Sequence, residues 1–439
     1  MKSLSIGGLL VGLILLMIVC PYASGQQDDP VQVIWETYLQ TRNGLSDLDE
    51  WIDKIVEVVD NHPQSTARLN VMINLVGCCN SAKKYEKSVE ILKKILLIID
   101  CPVYWRLDVI REIGSVHKEM YLEALQRDDK SSAKGYAEKT LQYYTQFQNE
   151  LISAETKQLL HENERTALQG ELPMLFNTES ELLKDIRGDL QASIAKTKEA
   201  VRFLQAHPHI KNYGYNEAFF QNKMAVSLLE SEKRNEAESA MIDYGLAAAR
   251  PETIKSLQAR KFALAAYPKK GKDYRTFLQR WLDKVPQDAE TAVVLRDIGQ
   301  SFLEEGLYDE AIEIFENIHN NWWEQILILD EIPLKNQLGG YGADVLGMLG
   351  QCYQKTLQAE KSAQCIDELK RLVPKDAWII TLECQQGQTE RDVERKQAIE
   401  LIEKQNKSST INRQIIFWAV NGFLLFLIIY FVIRNKRSK

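Results

Sequence analysis

Residues Ala292–Trp323 read AVVLRDIGQSFLEEGLYDEAIEIFENIHNNWW. Leu295, Ile298, Gly299 and Phe302 recur at three- and four-residue steps, so they share one face of a helix. Ala311, Phe315 and Ile318 do the same in a second helix, and Gly306 breaks the chain between the two. Two amphipathic helices with a tight turn make a helical hairpin, and the small residues Gly299 and Ala311 let them approach closely.

The pattern recurs along the chain. Ala237, Tyr274 and Ala311 are spaced by 37 residues, as are Met241, Leu278 and Phe315, and Tyr244, Trp281 and Ile318. In the preceding helices Ala225, Phe262 and Gly299 keep the same step. Nearer the start, one stripe is Trp35, Tyr38 and Leu39, followed by Trp51, Ile55 and Val58. A shift of 37 residues carries these to Met72, Leu75 and Val76, then to Ser88, Leu92 and Ile95. One hairpin buries too little surface to offset its chain entropy, whereas stacked hairpins share a continuous core.

The order apolar–Gly–x–x–aromatic, then Ala–x–x–x–Phe, resembles the tetratricopeptide repeat, a helix–turn–helix unit of about 34 residues. The resemblance implies an all-α, TPR-like α-solenoid of stacked helical hairpins. It also implies a concave groove, lined by the first helix of each unit, that takes a protein or peptide. On that implication the groove-facing residues are Asn222, Arg296, Gln300 and Gln351, with Arg296 able to pair with a carboxylate. The family's lysine- and asparagine-rich carboxylate clamp is not evident. The 37-residue step exceeds the family's unit by nearly one helical turn, so a helix or turn is expected to be longer.

Between the regular stretches the register drifts. A third unit opens with Ile110, Ile113 and Gly114, and DDKSSAKG from Asp128 to Gly135 reads as a polar loop before helix resumes at Tyr136. Gly170 and Pro173 mark a break, and Thr178 with Glu181 reads as the capping box of a long helix to about Ala206. After Trp323 a longer connection precedes a restart at Leu346, Leu349, Gly350 and Tyr353. Segments from Trp378 and from Val393 then form a last, more polar pair suited to cap the stack. The expected organisation is a signal segment at 1–25, a first array at 26–150, and a long-helix insertion or seam at 151–215. A second array at 216–405, a stalk at 406–414, a transmembrane helix at 415–433 and a basic tail at 434–439 complete it.

The two ends give the expected address. Lys2, the apolar run Ile6–Val19 and the small residues Ala23-Ser24-Gly25 fit a secretory signal. A lipoprotein reading centred on Cys20 is weakened by the bulky Val19. Residues 415–433 read IIFWAVNGFLLFLIIYFVI, long enough to span a bilayer at about 20 residues. Trp418 and Tyr430 stand near its ends, and Arg434, Lys436, Arg437 and Lys439 follow, as on the cytoplasmic side of a stop-transfer helix. The expectation is a single-pass membrane protein with the bulk of the chain extracytoplasmic, whether or not the signal is cleaved.

Chemistry is sparse. The chain has 439 residues, 45% apolar, with few Gly (22) and Pro (11), which favours helices. A formal net charge of -7 argues against a general nucleic-acid binder. Phosphate-cradling loops and HExxH are absent, and no cofactor is expected. His207 and His209 flank a proline at a helix end and match no metal motif. Cys352 and Cys365 fall on the two helices of one hairpin, where a bridge is possible and buried thiols are the favoured reading. The function expected is a non-catalytic scaffold for protein–protein interaction. An α-helical toroid enzyme acting on polysaccharide, suggested by the Trp and Tyr content (8 and 17), and a solute-binding superhelix are the alternatives.

Overall fold

The computed structural model describes residues 29–41, 48–98, 100–210, 214–248, 255–331, 339–387 and 398–404, with Arg391, Arg395 and Asn421. The segments expected to be a signal (1–25) and a membrane helix (415–433, Asn421 apart) lie outside these described residues. Among the described residues no helix is long and apolar enough to cross a membrane, and all regular structure is helical. The chain divides into two compact units, residues 1–227 and 228–439.

In the first unit α1 (Pro30–Thr41), α2 (Leu48–Asn61), α3 (Arg68–Ser81) and α4 (Tyr85–Leu96) form two successive hairpins. The longer α5 (Val103–Gln126) and α6 (Lys130–Thr156) form a third, and α7 (Glu162–Asp185) and α8 (Leu190–Ala206) a fourth. The next helix, α9, spans Glu217–Glu230. Each second helix also packs on the first helix of the following hairpin, as α4 does on α5 and α6 on α7. One apolar cluster runs from Val31, Trp35 and Tyr38 through Met72, Leu75 and Leu92 to Met120. Another joins Tyr144, Phe147 and Leu151 to Leu175, Leu204 and Phe220.

The second unit repeats the plan. Its helices are α10 (Arg234–Ala247), α11 (Lys255–Ala266), α12 (Lys272–Lys284), α13 (Ala289–Glu304), α14 (Tyr308–Asn321), α15 (Trp323–Leu329), α16 (Tyr341–Lys355) and α17 (Ala359–Leu372). Residues 377–387 are also helical, with Ile379 and Leu382 buried against the last hairpin. First helices α11, α13 and α16 pack side by side, as do second helices α10 and α12. The repeat equivalences hold here. Ala237, Tyr274 and Ala311 are all buried, as are Met241, Leu278 and Phe315, and Tyr244, Trp281 and Ile318.

Two hairpins close on a glycine. A Cβ on Gly299 would lie 2.6 Å from Phe315 Cε1, and one on Gly114 would lie 2.5 Å from the Tyr144 ring. The missing side chain is the seat of the ring across the hairpin. Turns inside the hairpins use a residue with positive φ: Lys83, Asp128, Gly188, Glu232, Lys270, Gly306 and Leu357. Only two of these are glycines, so most of these turns carry no glycine signal.

Several expectations fail locally. Leu39 is 36% exposed, and Trp51 and Val58 are only half-buried; Ile52 and Val59 take the inward positions of α2 instead. The loop expected at 128–135 shrinks to the turn around Asp128, because Asp129 caps α6 by accepting from Ser132 N–H. Gly170 and Pro173 lie inside α7, which tolerates both where tertiary packing supports the helix. Thr178 is no cap: it sits within α7 and donates its hydroxyl to Met174 O. The long helix expected to run to Ala206 is two helices, parted by Gly188 at φ 65°. The connection after Trp323 contains α15, whose Ile326 is fully buried, and Asp330 beyond it caps α16 at Tyr341 N (2.9 Å) and Gly342 N (2.6 Å).

His117 in α5 is buried between the rings of Tyr136 and Tyr143, and its Nδ1 has no hydrogen-bond partner. Burial, helped by Lys139 and Lys93, lowers its pKa from 6.5 to about 4. The unfolded chain therefore takes up this proton first, and stability present above pH 6.5 is lost as pH falls toward 4. His117→Phe keeps the ring stack and is expected to flatten this part of the stability–pH curve, measured by urea unfolding at a series of pH values. Two glycine substitutions should move stability in opposite directions. Gly299→Ala forces the Phe315 ring aside and is expected to cost about 1–3 kcal/mol. Gly135→Ala, in α6 with open space around the new methyl, is expected to gain up to about 1 kcal/mol. Urea midpoints of the two variants read both signs.

Candidate functional site: the first-helix faces

In the second unit the side-by-side first helices carry a chain of charges. Arg260 of α11 donates from Nε to Asp297 Oδ2 of α13. Arg296 of α13 donates from Nη2 to Asp297 Oδ1 at 2.9 Å and from Nη1 to Asp344 Oδ2 of α16 at 2.9 Å. The Arg296 guanidinium lies 5.0 Å from the centroid of the Tyr341 ring. Asp344 also accepts from Trp378 Nε1 at 3.3 Å, and Tyr274 donates its hydroxyl to Asp297 at 3.4 Å. The side chains of Arg260, Arg296 and Asp297 are 17%, 12% and 9% exposed, so solvent screens them little. Burial works against the Arg260 charge, but Asp297 outweighs it and holds the guanidinium above its usual range. Burial and then Asp297 push the Tyr274 phenol up.

The four residues expected at a groove fall on first helices. Arg296 is in the charge chain just described. Gln300, one turn further along α13, donates to Glu304 at 2.8 Å. Gln351 is half-buried on α16, and Asn222 is half-buried on α9 in the first unit. The carboxylates that Arg296 meets are the protein's own, Asp297 and Asp344. Arg260, Asp297 and Asp344 were not singled out from sequence. A signal for two of them was present, since Arg260 and Asp297 are 37 residues apart. Residues at the repeat offset face one another across neighbouring first helices, so opposite charges there read as a pair.

The first unit carries a different balance. On α5, Arg111 is buried and donates to Asp108 Oδ1 from Nη2 at 2.7 Å and from Nε at 3.0 Å. It also lies 3.7 Å from Glu112 and 3.8 Å from Glu171 of α7. Asn80 of α3 donates to Glu112 at 3.2 Å. Burial raises the Glu112 pKa, against the pull of Arg111. Three carboxylates from two first helices, α5 and α7, thus surround one guanidinium, and α3 adds the Asn80 amide. Tyr104, whose phenol is pushed up by burial and then by Asp108, adjoins them and makes an edge contact with Trp105 at 5.3 Å.

The remaining candidates are accounted for locally. Cys352 and Cys365 are separate thiols, each pushed up to about 12 by burial, and no disulfide forms between them. His207 stacks on Phe203, with its Nδ1 2.9 Å from the Phe203 backbone oxygen; among the described residues no group of three or more His, Cys, Asp or Glu is placed to hold a metal ion.

These packed pairs are stacked helical hairpins in each described unit, an arrangement similar to that of tetratricopeptide repeats. No family model matches the sequence, and no curated protein does. Among solved structures, a tetratricopeptide repeat protein from Parabacteroides merdae is 10% identical, covers 72% of this chain and 98% of its own, and gives a TM-score of 0.31. The P58(IPK) TPR domain is 11% identical over 84% of this chain and 98% of its own, with a TM-score of 0.27. A Rap protein complexed with competence and sporulation factor is 13% identical over 83% of this chain and 99% of its own, with a TM-score of 0.25.

Breaking the Arg260–Asp297 pair leaves buried charge behind. Asp297→Ala is expected to destabilise by about 3–5 kcal/mol, while the double change Arg260→Met with Asp297→Leu should recover part of that loss. Denaturant unfolding of the single and double variants measures the difference.

Proposed function

We propose that this protein is a non-catalytic scaffold, anchored in a membrane by residues 415–433 with the bulk of the chain extracytoplasmic. On this reading its first-helix faces hold protein segments. The observation that carries the binding role is the face formed by α3, α5 and α7. Asp108, Glu112 and Glu171 outnumber the single Arg111 there, and the three carboxylates keep 28%, 26% and 44% exposure. Tyr104 and Trp105 stand beside them, half-buried. Surplus negative charge on a helix-lined face draws a segment bearing Lys or Arg, and the flanking rings supply apolar area and cation–π contact. The apolar run 415–433 and the four basic residues after it support the anchor.

Two measurements test the proposal. Protease added to intact cells should digest the region from about 26 to 413; protection of that region would remove the extracytoplasmic placement. Fluorescence anisotropy with a Lys/Arg-rich peptide should show salt-sensitive binding to the full chain that Glu171→Lys weakens roughly tenfold or more, with a Glu-rich peptide of equal length as control. Equal binding of the two peptides would sink the charge-based reading.

A further inference from the structure

A second feature of the first unit has no part in the faces above. A cavity of about 390 Å³ opens between α7, α8 and α9, lined among others by Ser180, Glu181 and Asp185 of α7, Ser193 of α8 and Lys223 of α9. That volume is enough for a small organic molecule. Its floor is a buried hydroxyl cluster in which Ser180 Oγ lies 2.9 Å from Ser193 Oγ and 3.0 Å from Thr197 Oγ1.

The Lys223 side chain is 19% exposed. Its Nζ donates to Asn177 Oδ1 at 2.6 Å and to the Asn177 backbone oxygen at 3.4 Å. Asn177 is held in that orientation because its Nδ2 donates to Glu181 Oε1 at 3.0 Å. Glu181 Oε1 is 3.5 Å from Nζ, and that carboxylate is half exposed. The two shorter contacts of the amine are therefore neutral carbonyl oxygens, and the Glu181 carboxylate is its third and longest partner.

Lys196 is the internal control. It has the same exposure, 18%, but its Nζ meets Glu179 at 3.3 Å and Glu199 at 2.8 Å. Burial lowers and these carboxylates raise its pKa, with a net rise. For Lys223 burial wins: the pKa falls, helped by Lys184 and resisted by Glu181 and Asp185. Two equally covered lysines thus differ because Lys196 meets two carboxylates at 2.8 and 3.3 Å, whereas Lys223 meets one at 3.5 Å and is otherwise held by Asn177 oxygens. A desolvated amine whose charge is only weakly compensated is the setting in which lysine acts as a nucleophile.

We infer that Lys223 is a nucleophilic amine that condenses with a small aldehyde entering this cavity. The lone pair of Nζ attacks the carbonyl carbon, and the carbonyl π electrons become an alkoxide that takes a proton. That proton comes from Nζ by way of Glu181, giving the carbinolamine, and the second Nζ proton follows the same route to its hydroxyl. Water leaves as the C=N bond forms, so aldehyde plus amine gives imine plus water with no oxidant or reductant required. Ser193 and Ser180 border the space in which the carbonyl oxygen would lie.

The test is reductive trapping on the full chain. Benzaldehyde and sodium cyanoborohydride are added at neutral pH, and benzylated lysines are quantified by peptide mass spectrometry over time. Lys223 is expected to be benzylated several-fold or more faster than Lys196 and the exposed lysines. Glu181→Gln should slow trapping at Lys223 several-fold and leave Lys196 unchanged. Labelling of Lys223 no faster than Lys196 would overturn the assignment. So would a fast adduct of undiminished yield in Lys223→Arg.

Discussion

The structure depends on how closely the two helices of a hairpin can approach. At Gly299 and at Gly114 the aromatic ring of the second helix fills the place a first-helix side chain would take. Phe315 and Tyr144, the rings concerned, are fully buried. Each seat joins the interior of one hairpin to that of the next, because the second helix of one hairpin also packs on the first helix of its neighbour. A methyl group at the seat would part the helices and with them the shared core. Close packing is what makes so small a change matter.

Apolar packing sets the spacing of the helices, and polar pairing distinguishes the faces. Arg260, Asp297, Arg296 and Asp344 link three first helices in the second unit with charges nearly in balance. In the first unit Arg111 is outnumbered by Asp108, Glu112 and Glu171. The same repeat geometry thus presents a neutralised face in one unit and an acidic one in the other. The difference arises from a handful of side chains on a common scaffold, which is how repeat folds carry different binding roles.

The offset of 37 residues was legible because each unit puts equivalent positions in equivalent surroundings. Ala237, Tyr274 and Ala311 differ in size yet are all buried at the same seat. Gly306 was legible as a turn because it is a glycine between two apolar stripes, whereas Gly188 was passed over inside an expected long helix; Lys83, Glu232, Lys270 and Leu357 adopt the same left-handed backbone without a glycine. Gly170 and Pro173 read as punctuation and lie inside α7, since tertiary packing overrides a local propensity of a few kcal/mol at most. Leu39, one residue past the inward-facing Tyr38, shows the limit of stripe reading: Tyr38 is fully buried while its neighbour is 36% exposed.

Sequence alone determined the helical class, the hairpin unit and its period, because apolar periodicity and small residues at fixed spacing follow directly from helix geometry. It also supplied the long apolar run near the end, which needs no partner to be recognised. Only the tertiary structure decided which polar residues meet: Arg111 with Glu171, 60 positions along, and Lys223 with Asn177, 46 positions back. Such pairs join different hairpins, and their distance depends on how the helices stack. The surplus of acid around Arg111 and the Asn177 partners of Lys223 are therefore properties of the packed stack that no single helix encodes.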